Sequence, residues 1–437
     1  MAAELWPEAS FAEVINFQEG PGILAKDFRE RGVPLVRLSG LERGGSVLEG
    51  CRYLDADSVQ QRWAHFALMH GDILLSSSAS LGRIAVVGDD GVGAIPYTGI
   101  IRMRPRDDRV YGPFIRYVLE APEFQRQAEV AGVGSVMRHF GPMHLRQMTV
   151  RLPPPKSQRA IARVLGALDD KIRSNGRMNE TLEAIAQAFF KSWFLDFEPV
   201  HAKMEGHDLG LPKSLADLFP NSFEDSKLGE IPKGWTVGAV GDALSLSRKA
   251  LDPGDYADEC FDLFSIPAFD AGRVPACDFG ETIKSQKVAV VEGCVLVSKL
   301  NPSTPRVWLP PVTSARRQIA STEFLVCVGD AARAMSRELI YCLASSAPVV
   351  EYLTTHASGT SNSHQRVRPQ DFLDFPLVHP PVPLREAFSA LVRPLFDRIA
   401  TSRNQAATLA TVRETLLPKL ISGEVRVEDA KRIAEVA

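Results

Sequence analysis

Two kinds of hydrophobic pattern alternate along the chain, and each occurs twice. From about Glu4 to Val150, apolar positions recur at short spacing, at Phe11, Ile15 and Phe17, then at Leu35 to Leu38, Ile73 to Leu75 and Ile100 to Met103. Glycines punctuate these runs, which predict short strands. A helix is predicted from Gly112 to Glu120, with a counterpart from about Leu339 to Ser345, and Pro122 and Pro348 are placed to stop the two.

After Pro153-Pro154-Pro155 the period changes from two to seven. With Leu165, Ile172, Asn179, Ala186 and Trp193 at the a position of a heptad, Ile161, Leu168, Asn175, Leu182 and Phe189 fall at d. A second heptad run places Val392, Ile399, Ala406, Arg413 and Leu420 at a, and Phe388, Leu395, Ser402, Leu409 and Leu416 at d. Both seams are apolar at their ends and polar or small in the middle. This predicts two long helices packed antiparallel, with Asn175 facing Ser402, because a buried polar residue fixes register at some cost in stability. The alternative is that Asn175-Gly176 ends one helix and starts another, giving two helical hairpins. Pro394 requires the second helix to bend or to begin later. Residues 197–232, rich in Pro, Gly, Asp and Ser, read as a crossing loop.

The two patterns repeat because the chain is duplicated. Asp170-Lys171-Ile172 matches Asp397-Arg398-Ile399, and Pro153-Pro154 matches Pro380-Pro381, at an offset of 227 residues. Gly71 to Ser76 resembles Gly293 to Ser298 at an offset of 222, and Trp6 meets Trp235 at 229. A period this long makes each copy a folding unit in its own right rather than one turn of a solenoid.

Composition narrows the class. A chain of 437 residues with 45% hydrophobic residues and no apolar run long enough to span a bilayer reads as cytoplasmic and globular. Its six cysteines show no C-x-x-C spacing and read as buried thiols, so no metal site is expected. The net charge of −3 is unlike the strongly basic balance of most nucleic-acid-binding domains. Charge can still be arranged locally, and the first copy's cations are almost all arginine, the side chain suited to guanine edges and phosphates.

Catalytic constellations are missing. There is no phosphate-cradling G-x-x-x-x-G-K-[ST], and Gly91-Val92-Gly93 and Gly132-Val133-Gly134 lack the third glycine of a dinucleotide fingerprint. Asn301-Pro302-Ser303-Thr304 lacks the aromatic residue of an adenine-methyltransferase signature, and Asp225-Ser226-Lys227 lies in a linker without the upstream Pro-Asp partner of a nuclease site. Polar clusters at equivalent places in the two copies remain. One is Ser76, Ser78, Ser80 and Arg83, answered by Lys299, Asn301, Ser303 and Arg306; the other is Arg138 and His139, answered by Asn362, His364, Gln365 and Arg366. Such loops offer donors and acceptors to base edges and phosphates, and their likeness in position but not in residue suits two modules that read two sequences.

The segments Leu152-Pro153-Pro154-Pro155-Lys156-Ser157-Gln158-Arg159-Ala160-Ile161-Ala162, Leu168-Asp169-Asp170-Lys171-Ile172, Asn179 to Ala184 and Phe190-Lys191-Ser192-Trp193-Phe194 resemble the central conserved region of the specificity subunits of type I restriction-modification enzymes. Arg413 to Glu424 is similar to the end of their distal conserved region, and Gly229 to Trp235 to the start of a target-recognition domain. The resemblance implies an α+β fold with two duplicated, mainly β target-recognition domains at residues 1–150 and 229–378. It places a central conserved helix at 151–197, a linker at 198–228, a distal helix at 379–424 and a tail at 425–437. The helices would form an antiparallel coiled coil that acts as a spacer between the halves of a bipartite, asymmetric DNA site. A helix from Ser157 to Trp193 would be about 55 Å long, roughly one and a half turns of duplex. The resemblance further implies a non-catalytic subunit that docks two methyltransferase and two restriction/translocase subunits, with S-adenosylmethionine, ATP and magnesium bound by those partners. The competing readings are a self-sufficient nuclease or methyltransferase and an adaptor that does not touch DNA.

Overall fold

The computed structural model describes residues 6–41, 45–77, 82–131, 140–311, 315–359 and 365–436. They divide into two compact units: Met1–Asn175 together with Gln405–Ala437, and Gly176–Asn404. The boundary falls within both long helices, Pro155–Phe194 and Val382–Ser422, so each unit takes one part of each helix.

In the first unit a four-stranded antiparallel sheet runs in the order Ile15–Glu19, Ile100–Pro105, Ile73–Ser76, Ile84–Val86. The second unit repeats that order with Leu244–Ser247, Phe324–Gly329, Val295–Ser298 and Val307–Trp308. A second sheet in each unit contains one parallel pair, joining Val33–Val36 to Ile95–Pro96 and Cys260–Phe264 to Gln318–Ala320. A short antiparallel pair closes each module onto its helix, Glu8–Ser10 with Thr149–Arg151 and Thr236–Ala239 with Pro376–His379. The central strands Ile73–Ser76 and Val295–Ser298 are buried along their whole length, which explains why they read as continuous apolar runs and not as alternation. Each follows a glycine in the left-handed region, Gly71 at φ 81° and Gly293 at φ 72°, where a side chain would be strained.

Phe11, Ile15 and Phe17 do not form one strand. Phe11–Val14 is a helical turn that buries Phe11 and Val14, and the strand starts at Ile15. The strand expected at Leu35 to Leu38 lies at Val33–Val36, followed by a 3-10 turn over Leu38–Leu41. The helix Gly112–Glu120 is present as predicted, and its counterpart is Arg337–Ala344. Pro122 and Pro348 do more than stop these helices. Each lies in the first turn of the next one, Pro122–Ala131 and Ala347–His356, where a missing N–H costs nothing.

Both long helices run unbroken, through Asn175-Gly176 in one and through Pro394 in the other, so the hairpin alternative is excluded. Gly176 costs only about 1 kcal/mol in a helix, against a seam that buries many side chains. In the first unit the helices pack antiparallel through Ile161, Leu165, Leu168, Leu409, Leu416 and Leu420, all buried, with Ile172 half-buried. Asn175 is buried and donates to Gln405 Oε1 at 3.2 Å. In the second unit Ala186, Phe388, Val392 and Ile399 are buried, Leu182, Phe189 and Leu395 are half-buried, and Ser402 is buried. Phe190 and Phe194, outside the a/d pattern, pack on Phe388 with ring centroids 6.0 and 5.1 Å apart.

Arg413, an unexpected cation in the seam, is accommodated by acids. Its Nε donates to Asp169 at 2.6 Å and its guanidinium also meets Glu120, while Arg116 pairs with the same two carboxylates at 3.0 and 2.9 Å. Burial alone would lower the Arg413 pKa, but the Glu120 and Asp169 charges outweigh it and raise it. The second unit has an analogous cluster, in which Glu183 accepts from Arg273 at 2.9 Å and from Arg403.

Two further expectations are corrected. The 197–232 segment is not a plain loop: it forms helices Glu198–Met204 and Lys213–Ala216 and the hairpin Phe223–Ser226/Gly229–Pro232, and it buries Val200 and Phe219. The apolar anchors decide this, overriding the Pro and Gly content. Cys260 and Cys277 are not thiols but form a disulfide across neighbouring strands, whereas Cys294, Cys327 and Cys342 are buried free thiols and Cys51 is half-buried.

Candidate nucleic-acid interface

The polar clusters expected from sequence are drawn together by backbone hydrogen bonds, and the same bonds occur in both units. The loop leaving each central strand is closed by Ser76 N to Arg83 O at 2.9 Å and by Ser298 N to Arg306 O at 2.9 Å. The next residue donates across the sheet, Ser77 N to Gly99 O at 2.8 Å and Lys299 N to Glu323 O at 2.8 Å. Its carbonyl then accepts from the later cluster, from Phe140 N at 3.2 Å and from Val367 N at 3.0 Å. Three bonds thus hold positions 77 and 299 in equivalent frames, and these positions carry serine in one unit and lysine in the other.

The serines that begin these loops are structural. Ser76 is buried, and its hydroxyl accepts from Arg83 N at 2.9 Å. Ser298 does the equivalent work on Leu300, accepting from its N–H at 3.1 Å and donating to its carbonyl at 3.0 Å. Ser77 is buried as well and faces Glu19 at 3.4 Å.

In the second unit the loop continues outward. Asn301 sits in the left-handed region at φ 51°, a conformation that asparagine tolerates better than most residues. Its amide donates to Gln365 O at 2.9 Å, its side-chain oxygen accepts from the Ser303 hydroxyl at 3.2 Å, and its carbonyl accepts from Thr304 N at 2.9 Å. Ser303 and Thr304 are exposed and Lys299, Asn301 and Gln365 are half-buried. The two arginines at the edges of this group are both held by acids. Arg306 donates through Nε and Nη2 to the Asp270 carboxylate at 2.7 and 2.9 Å, and Arg366 through Nε and Nη2 to Glu323 at 3.1 and 2.9 Å. Lys299, Asn301, Ser303, Arg306, Gln365 and Arg366 are therefore one cluster although they span two segments of the sequence. Ser78, Ser80, Arg138, His139, Asn362 and His364 lie outside the described residues.

Sequence reasoning missed Gly99, Glu323 and Asp270. The first two become visible once Ile100–Pro105 is aligned with Phe324–Gly329, because Gly99 and Glu323 then precede equivalent strands. Asp270 carries no sequence signal, since it ends a short helix of the second unit with no motif around it. Among the described residues, no group of His, Cys, Asp or Glu could hold a metal ion. No described helix is long and apolar enough to cross a membrane.

The two units thus carry the same strand order and the same loop-closing bonds. Residues 4–184 match the family described as the type I restriction modification DNA specificity domain. Over 373 residues the chain is 26% identical to the specificity subunit of the type I restriction enzyme MjaIX of Methanocaldococcus jannaschii, covering 82% of this chain and 78% of that one. It is 31% identical over 156 residues to the HindI specificity subunit of Haemophilus influenzae, covering 35% of this chain and 34% of the relative. The crystal structure of a type I restriction-modification S subunit from M. genitalium superposes with a TM-score of 0.52 at 12% identity, covering 95% of this chain and 96% of that one. At that identity the likeness is one of fold. The chain is thus similar to type I restriction-modification specificity subunits, through the family match over residues 4–184 and through the longer alignment to the MjaIX subunit.

Proposed function

We propose that this chain reads a bipartite, asymmetric DNA site, each unit contacting one half, and that it takes no part in bond making or breaking. The observation that carries this reading is the repeated three-bond frame around Ser77 and Lys299, which closes loops of different sequence with the same backbone bonds in the two units. Two equivalent frames with different residues suit two readers of different sequence. The contacts fall to Lys299, Asn301, Ser303 and Gln365 in the second unit and to Arg83 in the first, together with Ser78, Ser80, Arg138, His139, Asn362 and His364.

The long helices are proposed to set the number of unread base pairs between the half-sites and to dock two methyltransferase and two restriction/translocase subunits. S-adenosylmethionine, ATP and magnesium would be bound by those partners, in the cytoplasm where they act. Against a net charge of −3, tight binding is assigned to the assembled complex. The test is to replace residues 229–378 with the matching segment of a relative. One half-site should change and the other should stay; a change in both would show that the modules do not read independently.

A further inference from the structure

We propose that Asp270 is a positioning residue for the second recognition loop, and that Arg306 acts on DNA through the loop it holds and not by touching it. The proposal rests on the DNA-reading function above and concerns how that function is built.

Arginine in a polar loop beside candidate base contacts suggests a direct contact to guanine or phosphate. The geometry of Arg306 points inward instead. Nε and Nη2 form a two-bond fork with the Asp270 carboxylate, Nη1 reaches the Thr304 carbonyl at 3.4 Å, and the side chain is 13% exposed. The fork closes residues 299–306 from below, because the backbone of Arg306 already receives Ser298 N. Thr304, whose carbonyl the guanidinium meets, also closes the Asn301 turn. One side chain therefore fixes both the base and the tip of the loop.

Asp270 is itself held in place. It ends the helix Ile266–Asp270, whose first turn is capped by the Ser265 hydroxyl accepting from Ala268 N at 3.3 Å. Its neighbour Phe269 is buried edge-on against Trp308, with centroids 5.5 Å apart, and Trp308 lies two residues beyond Arg306. Three residues on, Arg273 lies over the Phe269 ring at 4.8 Å and pairs with Glu183 of the first long helix. The loop is thus tied through Asp270 to the helix part of its own unit. On its other side the Glu323 carboxylate holds Arg366, which keeps an open edge at 58% exposure, while the Glu323 carbonyl takes Lys299 N. Charge-assisted two-bond forks are directional as well as strong, which suits them to fixing a loop that must present other side chains accurately.

The test is enrichment of binding sites from a randomised duplex DNA library on the full-length chain purified with its co-expressed methyltransferase. It compares wild type, Asp270→Asn, Arg306→Gln and the double variant. Each single substitution should relax base preference by about tenfold at the same positions of one half-site, the double variant should be no worse than either single one, and the other half-site should be unchanged. If D270N left the motif intact while R306Q lost it, Arg306 would be a direct contact and the proposal would fail. If wild type enriched no bipartite motif, the DNA-reading function would fail and this proposal with it. If D270N abolished all enrichment, the reversed pair Asp270→Arg with Arg306→Asp decides: recovered preference supports the clamp, and none refutes it.

Discussion

Arg385 occupies in the second unit the place that Gln158 holds in the first. The two lie 227 residues apart in sequence, and each is a buried polar side chain at the start of a long helix. Gln158 Nε2 donates to the carbonyls of Pro153 and Arg109, both at 2.7 Å, and Arg385 donates to those of Pro380 at 2.9 Å and Arg333 at 2.8 Å. An amide and a guanidinium thus fasten each recognition module to its helix through equivalent carbonyls. Gln158 adds a third bond by accepting from Tyr111 N at 2.7 Å.

Replacing Gln158 with alanine leaves those carbonyls and the Tyr111 amide without their partner inside the protein. The expected loss is about 2 kcal/mol, since a buried group deprived of its bond retains its desolvation cost. Urea unfolding measures it, and a loss under about 0.5 kcal/mol, within the range of ordinary surface substitutions, would mean that water replaces the side chain.

Arg413 of the distal helix pairs with two acids, so Arg413→Ala leaves Asp169 and Glu120 with Arg116 as their described cation. Breaking a buried ionic cluster on one side costs about 3 kcal/mol or more. The double variant R413A/D169A should cost less than the two single changes added together, and strict additivity in thermal unfolding would show that the residues are not coupled.

His379 gives the second unit a dependence on pH. Burial first, and then the Arg385 charge, hold its imidazole below the ordinary value of 6.5, and Nε2 lies 3.1 Å from the Ala239 carbonyl. The folded protein keeps this histidine neutral while the unfolded chain takes up a proton near 6.5, so stability should fall as pH drops through that value and flatten below the depressed folded pKa. His379→Gln should weaken that dependence between pH 7 and 5. Parallel stability curves for the two proteins would assign the dependence to other groups.

Four residues inserted beside Gly176 extend a helix that the structure shows to be continuous there. Under the proposed spacing role, the gap between half-sites should change and the half-site sequences should not. Methylation mapping of the variant would read both, and altered half-sites would refute the role.

Much of this architecture was legible because it is periodic or repeated. The heptads placed both long helices, and the duplication paired Gly71 with Gly293 and Pro153 with Pro380 before any geometry was known. What escaped was set by tertiary contact. The 197–232 segment has the composition of a loop, yet Val200 and Phe219 have apolar surface to cover and draw it into helices. The exchange of Gln158 for Arg385 conserves a hydrogen-bonding task but not a residue type, so no pattern of similar residues reveals it. At the candidate interface, spacing drew attention to Lys299, Asn301 and Arg306. Only coordinates could show that Ser76 turns inward and that Arg306 is bound by an aspartate 36 residues earlier.

The central claim is that this chain selects a bipartite DNA sequence for adenine methylation by its partners. Single-molecule sequencing of genomic adenine methylation, in host cells with and without the gene, tests it most directly. The account predicts that one gapped, asymmetric motif disappears when the gene is removed and returns when it is restored. A motif that stays methylated without the gene, in cells where the partner methyltransferase is active and the intact chain is expressed in the control, would contradict it.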